Sequence, residues 1–172
     1  MQPKKPRLFI ARTKNYDSPT DPRWQLVVAS YSSDRFCNKH YLTDTINATS
    51  RSLVQSYNVA PTAVSQTDDY ITVVCVAKVM DYKQLCSILE EESTLDKVQT
   101  ISSRVWVERV LKALNKNIGV LGTNVTAWET VEAKTVEFTN RMVQRGTGSG
   151  LSDGGVPLCD LLTAQEKTFQ NP

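Results

Sequence analysis

One histidine, His40, is all the sequence holds in 172 residues, which excludes a multi-histidine metal centre. The four cysteines, Cys37, Cys75, Cys86 and Cys159, show no CxxC spacing and no paired framework, so zinc has no ligand set and disulfides are not expected. Neither a GxGxxG nor a GxxxxGK[ST] loop is present. Gly146-Thr147-Gly148-Ser149-Gly150 follows a helical pattern, the wrong context for cradling phosphate, and reads as a linker. No metal and no cofactor are expected. The longest apolar run, Ile71 to Val79, is interrupted by Thr72 and Lys78 and is too short to cross a bilayer. No apolar stretch backs the basic residues at the start, so a secretory leader is not expected and a cytoplasmic location is. In that compartment the triplets Asn47-Ala48-Thr49 and Asn124-Val125-Thr126 are chance matches to a glycosylation site.

Charge of one sign is also lacking. The 20 basic and 18 acidic residues are interspersed, for a formal net charge of +2. A nucleic-acid surface needs a basic stripe with interleaved aromatics, and the only cluster is Lys4-Lys5-Pro6-Arg7, which reads as a solvated terminus. What is present is ordinary globular composition, 40% hydrophobic and 22% charged, in a chain long enough for one domain with its own core.

Arg7–Arg12 and Trp24–Ser30 read as strands, separated by a polar loop from Lys14 to Pro22. Cys37–Thr43 reads as a third strand after a turn at Ser32-Ser33-Asp34, and Asp44–Ala60 as loop or irregular strand. Ile71–Val79, β-branched and almost continuously apolar, reads as a central strand covered on both faces. Three helices follow. Asp81 with Gln84 forms a capping box for the first, which carries the stripe Leu85, Ile88, Leu89. Ser102 or Ser103 caps the second, with Val107, Val110, Leu111 and Leu114 at helical spacing. Thr126 with Glu129 is a second capping box, opening a helix that ends at Gly146. The expectation is an α+β domain over residues 1–145, a small, mainly antiparallel sheet packed against about three helices. A Gly/Ser-rich tail follows over 146–172, within which Val156–Leu162 is apolar enough to dock back. Cys75 and Cys86 read as small buried hydrophobes.

Few residues offer chemistry. Ser103 at a helix start could be a nucleophile helped by the helix dipole, but Ser there is usually a cap, and a reactive serine needs a base. His40 is the only candidate base, against the commoner role of a lone histidine in packing. Trp24, Trp106 and Trp128 fall within predicted elements, so core packing is their default. Arg23 and Arg104 flank two of them and could reach a ligand carbonyl or carboxylate, or simply point to water.

Three segments in order carry a resemblance: Pro22-Arg23-Trp24-Gln25-Leu26-Val27-Val28; Ile71 through Leu89; and Ser102-Ser103-Arg104-Val105-Trp106-Val107 with Leu121-Gly122-Thr123 and Trp128-Glu129-Thr130-Val131-Glu132. The chain resembles an uncharacterised family of small fungal proteins, similar in order to circularly permuted papain-like folds. The resemblance implies a histidine in the first segment and a cysteine opening the second helix; here those positions hold Arg23 and Ser103. A second family histidine falls near Lys39-His40-Tyr41. Arginine stays protonated and cannot serve as a general base, so thiol chemistry is not expected. A scaffold kept without its dyad implies another use for the pocket. The leading expectation is a cofactor-free catalyst or binder of an apolar metabolite in fungal secondary metabolism, in the form of a pericyclase performing an intramolecular Diels–Alder cyclisation. Arg23, Ser103, His40 or Tyr41 would donate to an activating carbonyl, Trp24 and Trp106 would supply apolar walls, and Arg104 would contact the substrate. The alternatives are a serine hydrolase using Ser103 and a catalytically dead interaction protein.

Overall fold

The computed structural model describes residues 5–30, 33–66, 68–94, 100–146 and 155–169. The expected turn at 32–34 falls partly outside them, and the Gly/Ser stretch 147–154 and Lys4 wholly so. Eight strands and three helices alternate as β1 (Arg7–Thr13), β2 (Arg23–Ser30), β3 (Ser33–Ile46), β4 (Leu53–Pro61), β5 (Tyr70–Val79), α1 (Tyr82–Thr94), α2 (Ser103–Lys116), β6 (Leu121–Asn124), α3 (Trp128–Gln144), β7 (Val156–Asp160) and β8 (Gln165–Phe169), with a 3-10 turn at Val64–Gln66 before β5. The fold is α+β, and the sheet is mostly antiparallel.

The strands form one sheet in the order β4-β3-β2-β1-β5-β7-β8, with β6 pairing to β5. Every pairing is antiparallel except β5 with β7, where Val73, Val74 and Cys75 lie opposite Leu158, Cys159 and Asp160. That parallel pair needs a crossover, which α1, α2, β6 and α3 supply. β5 is buried along almost its whole length, as its unbroken apolar pattern predicts.

Alternation sorts the strands onto two faces. Leu8, Ile10, Trp24, Leu26, Val28, Val74 and Val76 face the helices and join Leu85, Trp106, Val110, Leu111, Val131 and Phe138 in the larger core cluster. Phe9, Ala11, Val27, Ala29, Val73 and Cys75 face the other way, covered by Val64, Tyr70, Leu158 and Phe169. Phe9 and Phe169 meet edge to face, their ring centroids 5.7 Å apart, although β5 and β7 separate their strands. The sheet therefore curls towards this face.

Several sequence expectations change. Of the two readings of Asp44–Ala60, loop or irregular strand, strand is the one found over most of it. The long β3–β4 hairpin pairs Asn38 through Ile46 with Pro61 through Leu53, and Asn47 turns it by accepting the amides of Thr49 and Ser50. The domain does not end at 145 either, since β7 and β8 lie within the expected tail and complete the sheet. Ser102, not Ser103, caps α2, accepting the Val105 amide at 3.2 Å. Asp81 does cap α1, through the Gln84 amide at 2.9 Å. Thr126 caps nothing: α3 starts after Ala127, and the Thr126 hydroxyl turns instead to Asn115 and Asn124. Cys75 is fully buried as expected, whereas Cys86 is only half-buried.

Candidate functional site

A concavity wraps around one end of the sheet, where β1 ends, β2 begins and the N-terminus of α2 approaches. Two adjoining cavities, of about 580 and 540 Å³, share Arg23, Trp24, Leu42, Thr43 and Ser103. They form one groove with two arms.

The Arg23–Ser103 junction is set by backbone geometry. Ser102 caps α2, so Ser103 becomes its first residue, and the Ser103 hydroxyl oxygen accepts the Trp24 amide at 3.1 Å. That bond ties β2 to α2. Arg23 and Trp24 alternate across β2: Trp24 turns to the helix side, only 4% exposed, while Arg23 turns out and pairs with Asp17 at 2.9 Å. The two positions where the resemblance implied a dyad therefore line the same groove.

The arms differ in charge. The first, on the face away from the helices, is lined by Lys14, Arg23, Lys39, Tyr16 and Tyr41, with Asp69 as its one carboxylate. The Lys39 ammonium lies over the Tyr41 ring, 4.9 Å from its centroid. Tyr16 donates to Asp69 at 3.0 Å, and the negative partner pushes the Tyr16 pKa up. Lys14 makes no ion pair among the described residues. The second arm, on the helix side, carries Asp17, Asp21 and Asp44 against Arg23 and Arg104. There Arg104 is bound to Glu132 and sits over the Trp128 ring, so it is already engaged.

Beneath the groove lies a stacked group that the sequence reading missed. Arg12 is 7% exposed, places its guanidinium 4.3 Å from the Trp24 ring centroid and donates to the Pro22 carbonyl at 3.2 Å. Trp24 in turn packs on Trp128, with centroids 5.6 Å apart. The Arg12 Nε is buried without a partner, and desolvation holds the guanidinium pKa below its usual value against the pull of Asp21 and Glu132. Strand alternation carried the signal, because Arg12 follows Leu8 and Ile10 on the helix face.

Not every expected site residue comes together here. Tyr41 lines the first arm. His40, its neighbour on β3, points to the opposite face, is fully buried and shares its Nδ1 with the Tyr57 hydroxyl at 2.7 Å. Burial takes its pKa down to about 4. No hydrogen bond joins it to Ser103, and it lines neither arm, so it is not placed to act as a base there. Trp106 is also fully buried, packed on Tyr57, and forms core rather than a ligand wall. Trp24 lines both arms but is almost wholly buried. Among the described residues no group of three or more His, Cys, Asp or Glu side chains could hold a metal ion, and no helix is long and apolar enough to cross a membrane.

No curated protein and no solved structure matches the chain. A family model matches residues 5–168, nearly the whole chain, and the protein belongs to that family, described as a family of unknown function (DUF6914).

Proposed function

We propose that this chain is a cofactor-free binding domain for a small organic anion with a planar or conjugated body. The observation that carries the reading is the first arm of the groove, where Lys14 and Lys39, with Arg23 already paired to Asp17, line a cavity whose one carboxylate is Asp69. Tyr16 and Tyr41 supply ring faces, and Tyr41 a hydroxyl, beside those cations. The first turn of α2 holds no acidic residue, so the positive end of its dipole adds to the field at Ser103. This ligand is more polar than the apolar metabolite expected from the sequence, because the tryptophans meant to wall the site are almost wholly buried in the core. Any chemistry works by positioning. Ser103 accepts a backbone amide, and the one histidine lies on the other face of the sheet.

Cyclisation is the catalytic form of the same reading. Arg23, Lys39 and the Tyr41 hydroxyl converge on one cavity, where they would steady charge developing on the activating carbonyl of a bound polyene. Such a step needs no nucleophile.

Thermal shift against matched sets of conjugated carboxylates and their neutral esters tests the proposal. Acids should raise the melting temperature in a concentration-dependent way while their esters do not, and Lys39→Glu should remove the effect. Stabilisation by neutral apolar compounds alone, unchanged in Lys39→Glu, would overturn it. Deleting the gene and profiling metabolites separates the two forms: a catalyst leaves an uncyclised precursor, a binder does not.

A further inference from the structure

The two outer edges of the sheet are finished differently. At one end β8 is five residues long and carries Glu166 and Lys167, charges of the kind that discourage a sheet edge from pairing. At the other end β4 runs for nine residues, Leu-Val-Gln-Ser-Tyr-Asn-Val-Ala-Pro, with no charge in it and its only proline at the last position. Its hairpin also concentrates exposed apolar surface. Of the eight large hydrophobic side chains exposed among the described residues, Ile46, Leu53, Val54 and Val59 are four. Ile46 pairs directly with Leu53 at the hairpin end. Elsewhere such surface is scattered singly, as on any soluble protein.

We propose that β4 is a homodimer edge, pairing antiparallel with β4 of a second copy to make a continuous sheet through both. Laid against its own reverse, the strand brings apolar side chains together at both ends of the paired stretch. With the two-fold axis at Ser56, Leu53 of each copy lies opposite Val59 of the other, and these are the two large apolar side chains of β4 exposed on the helix side. The same register sets Gln55 opposite Tyr57 and Val54 opposite Asn58. A two-fold pairing brings each strand against an identical one. A charged residue near the axis would meet its own copy, and β4 has none to do so. With no charge in β4 to repel its own copy, and with Leu53 and Val59 closing on each other across the axis, the second copy is the occupant. A slip by one residue would break the Leu53–Val59 match, which fixes the register.

Sedimentation equilibrium on the full chain, with Ser56→Lys and Ser56→Cys, tests the pairing. Ser56 is exposed, so a lysine there leaves the monomer intact, as circular dichroism would confirm, while placing two ammonium groups face to face on the axis. The wild type should be dimeric at micromolar concentrations and Ser56→Lys monomeric. Ser56→Cys should form an intermolecular disulfide under mild oxidation that the wild type, with its native cysteines, does not. Amide exchange in β4 should slow as concentration rises. A monomeric wild type overturns the proposal and leaves the edge to another partner. A dimer that survives Ser56→Lys, or that fails to cross-link through Ser56→Cys, shows association through another surface and overturns it equally.

Discussion

His40 is the residue whose environment departs furthest from what its type suggests. It sits among Tyr57, Tyr82 and Asn38, stacked on the first and edge-on to the second, with Asn38 donating to the Tyr82 hydroxyl at 3.0 Å. Its Nε2 is buried with no partner. A proton there would create an uncompensated buried charge, and burial accordingly lowers its pKa from 6.5 to about 4. A base whose folded pKa lies below its unfolded value binds fewer protons folded than unfolded, so stability falls as the pH falls. The loss begins near pH 6.5, is complete by about pH 4 and amounts to about 3 kcal/mol. Urea unfolding from pH 7 to 4 should show that decline in the wild type and a shallower one in His40→Leu. Parallel curves for the two proteins would mean that His40 is not the titrating group. Ser103 makes a second case at this scale. Ser103→Ala removes the acceptor of the Trp24 amide and should cost about 1 kcal/mol. Under the proposed function it should leave ligand binding within a few-fold, whereas a serine hydrolase would lose all turnover.

Secondary structure was legible wherever a segment's own pattern decides its state. The three helices run close to their expected limits, and β1, β2 and β5 follow their apolar runs, because the stripe or the alternation in each matches the face it buries. Two kinds of element were not legible. The outer half of β3 is polar, and β4 mixes polar and apolar residues without burying one face, so both are held by cross-strand pairing and the hydrophobic pattern is silent over Asp44–Ala60. The helix caps look alike in sequence but not in structure. Ser102 and Asp81 accept helix amides, while Thr126 is diverted to Asn115, whose oxygen competes for its hydroxyl. Ser102→Ala should therefore cost about 1 kcal/mol by loss of a cap. Thr126→Ala should act differently, freeing the Asn115 contact between α2 and the approach to α3 without fraying α3 itself. Amide exchange distinguishes them: the Val105 amide should exchange faster in Ser102→Ala, and the first turn of α3 should be unchanged in Thr126→Ala.

At the scale of the whole molecule, the groove and the sheet depend on residues far apart in sequence, which is why neither could be assembled from local signals. The groove takes side chains from β1, β2, β3, the segment before β5 and α2; Arg23, Tyr41 and Ser103 were among the expected site residues, but the charge of the first arm was missed because Lys14 and Lys39 carry no motif. The C-terminal segment was missed for a related reason: β7 and β8 are short, and their burial comes from strands more than eighty residues earlier. Val156, Leu158 and Phe169 are fully buried against Phe9, Val73 and Cys75. Gly155 sets the entry into this pair. Its φ is +74°, and a Cβ there would come 2.5 Å from the Phe169 carbonyl oxygen, so no other residue fits without moving the backbone. If the tail were an appendage, its changes would leave the domain untouched. As part of the sheet, its losses are core losses. Phe169→Ala should destabilise by about 3–5 kcal/mol, the range for a large aromatic deleted from a core. Gly155→Ala should destabilise measurably through backbone strain and the clash with Phe169, with no apolar surface removed. A chain ending at Gly146 would leave β5 paired on that side by β6 alone and bare Phe9, Val73 and Cys75, and it should fail to give a cooperative thermal transition. A truncated chain melting as sharply as the full protein would return 156–169 to the status of a tail and restore 1–145 as the folding unit.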